Sequence, residues 1–322
     1  MKPWAVLTSD VHYSLPTLFL AEASIRQAIQ KANELNVPLI VAGDLHDTKG
    51  AMRGECVTSM LKSFQESKTP TYLIPGNHDR INEKSKPHAL EFLRHLVSIV
   101  DAPTYVHGLC LVPYESDAKT LRAFLSEVAS GSTLIMHTGV MSAAMGHYTR
   151  DTSSLSSEAF ASFRVITGHY HMRQTIGTVS YIGNPYTLNF GEALDPPKGF
   201  QVLNTDGSLT FVPTNLRKHI ALERDYLNAM CPVPEFSPGD LVRMRVTGPK
   251  SELEKLNKID IGNALFGSAS FKLDLIPTKD APASEKAAPT LSSAEQLDAL
   301  IDASSETPER KIMLKYLWRS LA

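Results

Sequence analysis

The chain has 322 residues, enough for one large domain with one or two small ones. Its 43% hydrophobic and 7% aromatic content is ordinary for a soluble globular protein, and no apolar run reaches the roughly 18 residues of a membrane span. A net charge of −2 with a pI near 6.6 excludes a general electrostatic pull on nucleic acid, so any such role must rest on a local site, bound metal ions or a partner.

The opening residues run straight into a strand candidate at 4–8, which leaves no room for a signal peptide. Cys56, Cys110 and Cys231 are odd in number and far apart, and read as reduced thiols of a cytoplasmic protein. A helix is predicted over 17–35, with Ile25, Ala28, Ile29 and Ala32 on one stripe. A strand follows at 37–42, a helix at 55–65 with Val57, Met60, Leu61 and Phe64 inward, and a strand at 71–74. Pro87 is expected to open another helix. Further strands are expected at 108–112, 133–136, 164–167 and 179–182, then a hairpin of 200–203 with 209–212 turned by Thr205-Asp206-Gly207. Buried strands alternating with helices imply a layered α/β domain over 1–216.

Residues 217–277 change character: strand 241–246, helix 250–258 and strand 268–275 suggest a small α+β domain. Residues 278–291 have almost nothing to bury and read as a linker. Over 292–322 a helix pair is expected. Ser292 and Glu295 form a capping box before Leu297, Leu300 and Ile301, and Thr307-Pro308 starts a helix carrying Leu314, Leu317, Trp318 and Leu321 on one stripe. Thirty or so residues cannot build a stable core alone, so that stripe needs another surface.

The chemistry lies where the apolar runs end. The first ends in Ser9-Asp10-Val11-His12, the second in Gly43-Asp44-Leu45-His46-Asp47, and the third in Gly76-Asn77-His78-Asp79. Later runs end in His137 and in Gly168-His169-Tyr170-His171. Taken singly, Asp-x-His is common, Asn-His-Asp after glycine can be a turn, and His169 with His171 can be a surface alternation. Taken together they place metal-capable side chains at the carboxyl ends of successive strands, where sites assemble in open α/β sheets. Oxygen ligands mixed with imidazoles suit Mn²⁺, Fe or Zn²⁺ better than an all-oxygen Mg²⁺ or Ca²⁺ cage.

The series D-x-H, G-D, G-N-H-D, a single His and G-H-x-H resembles the calcineurin-like metallophosphoesterase superfamily, whose fold is a β-sandwich flanked by helices. The resemblance implies two divalent ions, Mn²⁺ foremost with Mg²⁺, Fe and Zn²⁺ as alternatives. Asp10, His12 and His171 would hold one, Asn77, His137 and His169 the other, with Asp44 bridging. His78 would be the non-ligand histidine that stabilises the transition state or protonates the leaving oxygen.

Tyr181-Ile182-Gly183-Asn184-Pro185, Asn189-Phe190-Gly191-Glu192 and Lys198-Gly199-Phe200 further resemble a segment of the SbcD-type recombination nucleases. That resemblance implies a DNA exo- and endonuclease with a small capping domain. It also implies a terminal helix pair docked on an SMC-like ABC ATPase of the SbcC type, in a homodimer within a heterotetramer. The shortness of the chain points to a bacteriophage origin. Tyr181 and Asn184 become candidate substrate contacts, although Asn184 replaces the family's usual serine and His46 stands where an aromatic is usual. Arg53, Arg80, Lys84, Lys86, Arg150 and Arg173 lie near the motif loops and are candidates for phosphate contact. His88, His95, His107, His147 and His219 lie outside the motifs. A nucleotide or phosphoprotein phosphatase is the alternative, but Asp47 is followed by Thr48-Lys49 and not by the phosphatase pattern D-R-G. A binding scaffold without catalysis is a third reading, and the full ligand set argues against it.

Overall fold

A computed structural model of the chain describes residues 2–49, 51–82, 84, 86–233, 235–237, 239–266, 270–278, 301–302, 307, 310–311 and 313–315. The chain divides into two compact units, Met1–Pro277 and Thr278–Ala322.

In the first unit the strands β1 (Pro3–Thr8), β2 (Leu39–Ala42), β3 (Thr71–Ile74) and β4 (Ser98–Ile99) run parallel in one sheet. The strands β5 (Thr104–Val106), β6 (Leu109–Val112), β7 (Thr133–His137), β8 (Arg164–Gly168), β9 (Thr175–Ile176) and β10 (Val179–Tyr181) form a second sheet, in the order β5-β6-β7-β8-β10-β9. The antiparallel hairpin β11 (Gly199–Asn204) and β12 (Leu209–Pro213) returns to the first sheet beside β1.

Strand periodicity explains why the two sheets stack. Ala5, Leu7, Ile40, Ala42 and Ile74 point inward to meet Leu109, Leu111, Ile135 and Ile166 from the other sheet in one buried cluster. The alternate residues Val6, Leu39, Val41 and Leu73 face outward against α1 (Leu18–Leu35) and α2 (Gly54–Phe64), which bury Ile25, Ala28, Ile29, Ala32, Met60 and Phe64. On the far side Cys110, Val112, Leu134 and Met136 pack with Leu121 and Leu125 of α3 (Ala118–Glu127), a helix whose first turn is capped by the Asp117 carboxylate. The result is the expected α/β architecture, two mixed sheets flanked by helices. Truncating one of these buried leucines to alanine would cost about 2–5 kcal/mol.

After β12 the strands β13 (His219–Asp225), β14 (Leu241–Gly248) and β15 (Ser270–Pro277) form a separate parallel sheet with its own apolar cluster of Val242, Met244, Val246, Leu253 and Leu273. The expected helix 250–258 is two short ones, α4 (Lys250–Leu253) and α5 (Lys258–Leu265). The side chain of Asn257 accepts from the Ile259 N–H and begins the second, which sets the break.

The helix expected from Pro87 does not form; only the 3₁₀ turn Glu91–Leu93 is present. The reason is tertiary. The Pro87 carbonyl accepts from the Ile81 N–H, the Ala89 N–H donates to the Asp79 carbonyl, and His88 pairs with Arg80, so this backbone is tied to the loop after β3. Residues 301–302, 310–311 and 313–315 are helical and Leu314 is exposed. Residues 279–291 of the linker, the capping box at Ser292, Leu297, Leu300, Leu317, Trp318 and Leu321 lie outside the described residues. Among the described residues, no helix is long and apolar enough to cross a membrane.

Candidate metal centre

The loops after β1, β2, β3, β7 and β8 meet at one end of the sandwich. The first two are laced together: Asp10, His12 and Tyr13 donate their N–H groups to the carbonyls of Gly43, Asp44 and Leu45 at 3.0, 3.0 and 2.9 Å. This lacing bends the chain sharply. Asp10, His12, Asp44 and His169 have φ of 53°, 51°, 52° and 97°, a region that Asp and His enter more readily than most residues but at a cost of about 1–3 kcal/mol each. Two neighbouring glycines are required by contact. A Cβ on Gly43 would stand 2.1 Å from His137 Nδ1, and one on Gly76 2.2 Å from Asp44 Oδ1.

One group gathers Asp44, His137, His169 and Asn77. Asn77 Oδ1 lies 3.0 Å from both His137 Nε2 and His169 Nδ1, those nitrogens are 3.3 Å apart, and Asp44 Oδ2 is 3.3 Å from His137 Nε2. His137 is fully buried, and its Nδ1–H donates to the Ala42 carbonyl at 2.9 Å, so Nε2 is the nitrogen turned to the other members of the group. Asp44 Oδ1 accepts the His78 main-chain N–H at 2.8 Å.

The other group gathers Asp10, His12 and His171, whose ligand atoms lie within 4.8 Å of one another. His12 Nδ1 is 3.2 Å from Asp47 Oδ1, and the His171 Nδ1–H donates to Glu192 Oε1 at 2.8 Å. The two rings turn their Nε2 atoms toward each other, 3.1 Å apart. The His169 N–H donates to both Asp10 oxygens at 3.1 and 3.2 Å, which joins the two groups.

Electrostatics favour a cation here. Burial opposes charge on His137, but Asp44, Asp10 and the Ala42 carbonyl outweigh it and raise its pKa to about 9. Burial and the neighbouring His137 push His169 down to about 4. Burial also opposes charge on Asp44, yet His137, His12 and His78 hold its carboxyl below the usual range. Ring nitrogens and an amide oxygen that converge on one another, with carboxylates beside them, fit divalent cations.

Asp79 and Glu192, quoted in the motifs but given no role from sequence, turn out to brace the site. Asp79 is fully buried and accepts the N–H groups of His46 and Gly76 at 2.9 Å each, clamping the β2 loop to the β3 loop. Glu192 Oε1 accepts from His171, and Asp47 contacts His12 and receives the His78 Nδ1–H on its carbonyl at 2.6 Å. A carboxylate three residues after a glycine is the only signal that sequence offers for Asp79.

Tyr181 and Asn184, the candidate substrate contacts, are both buried. Each is 1% exposed. The Tyr181 hydroxyl donates to the Thr138 carbonyl at 3.2 Å while its ring stacks on Tyr170, and Asn184 Nδ2 donates to Glu192 Oε2 at 2.9 Å. Core packing has taken both. Several candidate phosphate contacts are similarly occupied: Arg53 pairs with Glu55, the buried Arg80 donates to the Tyr114 carbonyl, and Arg173 lies over the Phe211 ring. Lys84, Lys86 and Arg150 are exposed. His46 is buried beside Thr48.

The calcineurin-like phosphoesterase family model matches residues 4–195. Exonuclease subunit 1 of Enterobacteria phage T4 is 26% identical over 217 residues, covering 61% of this chain and 61% of that protein, so the chain spans about three-fifths of that relative's length. Among solved structures, a novel archaeal phosphodiesterase matches 65% of this chain and 98% of its own, at 17% identity and a TM-score of 0.35. Pseudomonas putida nuclease MPE matches 53% of this chain and 64% of its own, at 19% identity and a TM-score of 0.30. The matched span runs from β1 to beyond β10 and so takes in every residue of the two ligand groups; the chain belongs to the calcineurin-like phosphoesterase family.

Proposed function

We propose that the chain is the nuclease subunit of a DNA-processing complex and hydrolyses DNA phosphodiesters with two divalent cations, Mn²⁺ foremost. The observation that carries the hydrolytic part is the meeting of two ligand groups around Asp44 and Asp10. The choice of a nuclease is supported by the likeness to a phage protein named an exonuclease subunit.

Asp10, His12 and His171 would hold one cation, Asn77, His137 and His169 the other, and Asp44 would touch both. Bound there, two cations supply Lewis acidity toward the phosphodiester and a water nucleophile at neutral pH. His78 is placed for proton work. Its main chain is fixed on Asp44 and its Nδ1–H on the Asp47 carbonyl, while the side chain remains about a third exposed. With Nδ1 already protonated, a proton on Nε2 makes the ring cationic, the form that steadies a phosphoryl oxygen and can protonate the leaving oxygen.

Residues 217–277 would cap the active site, and the stripe of Leu314, Leu317, Trp318 and Leu321 would dock on an SMC-like ABC ATPase. A dimer of the chain would sit within a heterotetramer. The missing basic excess fits a nuclease whose partner supplies much of the DNA-binding surface. The decisive experiment incubates purified protein with linear duplex DNA and, separately, with a phosphomonoester reporter, with and without Mn²⁺. Mn²⁺-dependent DNA cleavage is expected; cleavage of the reporter alone would refute the nuclease reading and favour a nucleotide or phosphoprotein phosphatase.

A further inference from the structure

The His171 ring differs from that of His137 in what fixes it. His137 gives its Nδ1–H to a main-chain carbonyl in the sandwich interior, whereas His171 is partly exposed and gives its own to a side chain, Glu192. Glu192 is itself held from every direction. Its Oε1 takes the His171 proton, and its Oε2 takes N–H groups from Asn184 Nδ2 at 2.9 Å and Leu188 N at 3.0 Å. The Lys198 ammonium stands 3.4 Å away and donates also to the Asp195 carboxylate at 2.7 Å, to Asn184 Oδ1 at 2.5 Å and to the His171 carbonyl at 3.1 Å.

We infer that Glu192 is the positioning residue that makes His171 a ligand through Nε2, with Lys198 locking the Glu192 carboxylate in place. The inference deepens the metal-centre reading and rests on it. The chemistry follows from donor counting. Four lone-pair sites of a carboxylate face donors only, so the His171 proton must sit on Nδ1 and the lone pair on Nε2, toward His12. A glutamine in the same place has one acceptor and one donor group. Aimed at Asn184 and Leu188, its NH₂ meets two donors; aimed at His171, it requires a lone pair on Nδ1 and moves the ring proton to Nε2, inside the site. The first leaves three N–H groups crowded together and loosens the residue that holds the ring; the second withdraws His171 from the cation.

The test is calorimetric titration of metal-free full-length chain with Mn²⁺. Wild type is expected to take two ions. Glu192→Gln should weaken one of the two by about 10–100-fold, the range for losing such a partner, and leave the other unchanged. Lys198→Met, which leaves the Glu192–His171 contact in place, should give a smaller loss at the same ion. Circular dichroism of the metal-free variants checks that they fold; if Glu192→Gln does not, Glu192→Asp, which retracts the oxygen by one methylene, is titrated with the same expectation. Two ions bound by the folded variant with wild-type affinities overturn the inference. Wild type that takes up no Mn²⁺ overturns the metal centre and this inference with it. The titration uses no DNA, so its outcome is separate from the choice of substrate.

Discussion

The two halves of the centre are built by different means. Around Asn77, His137 and His169 the framework is buried main chain and close packing: an Ala42 carbonyl, a glycine where no Cβ fits, and loop N–H groups gathered on the fully buried Asp79 carboxylate. Around Asp10, His12 and His171 it is side-chain carboxylates, Asp47 and Glu192, one of them substantially exposed. The first half is built into the interior of the sandwich. The second depends on a charged network that can be weakened one atom at a time without disturbing the core.

The largest effect should come from the residue between the halves. Asp44→Asn removes the shared charge, and kcat/KM for a phosphodiester should fall by about 10³-fold or more, measured by steady-state kinetics at saturating Mn²⁺. A fall in one ion's affinity alone would mean that Asp44 serves one half only.

Next is a pH effect confined to the side-chain half. Glu192 has its carboxyl lowered from an ordinary 4.5 to about 2. A depressed folded value means that its contribution is present above about pH 4.5 and is lost as pH falls toward 2. It amounts to about 3 kcal/mol in the metal-free protein. Urea unfolding across that window should show the loss in wild type and a flatter profile in Glu192→Gln; equal slopes would remove the network from the stability of the fold.

The main-chain half should respond to volume. Gly43→Ala brings a Cβ onto His137 at a φ of 89°, and should cost about 2 kcal/mol, read from the denaturation midpoint of the metal-free protein. An unchanged midpoint would show that this half yields. Smallest is Tyr181→Phe, which removes one buried hydrogen bond beside His137 and should cost about 1 kcal/mol with KM for DNA unchanged. A raised KM would restore Tyr181 as a substrate contact.

What could be read from sequence follows this division. The seven residues from Asp10 to His171 were legible because each stands where an apolar run stops, and the sandwich stacks those runs so that their ends meet. The alternation of Ala5, Leu7, Ile40 and Ala42 with Val6, Leu39 and Val41 likewise carries the layering. The bracing was not legible, because Glu192 meets His171 and Asp79 meets His46 through contacts across separate loops that no local period encodes. Pro87 misled for the same reason: its local preference for a helix start lost to hydrogen bonds with residues 79–81. Tyr181 and Asn184 stood in a resembling segment, and only the fold reveals that packing has claimed both.

The most direct test of the centre is the electron paramagnetic resonance spectrum of the chain titrated with Mn²⁺. Two ions per chain sharing Asp44 should give an exchange-coupled signal that grows in between one and two equivalents and collapses in Asp44→Asn. A spectrum of isolated Mn²⁺ at every ratio, or saturation at one equivalent, would contradict a two-cation site.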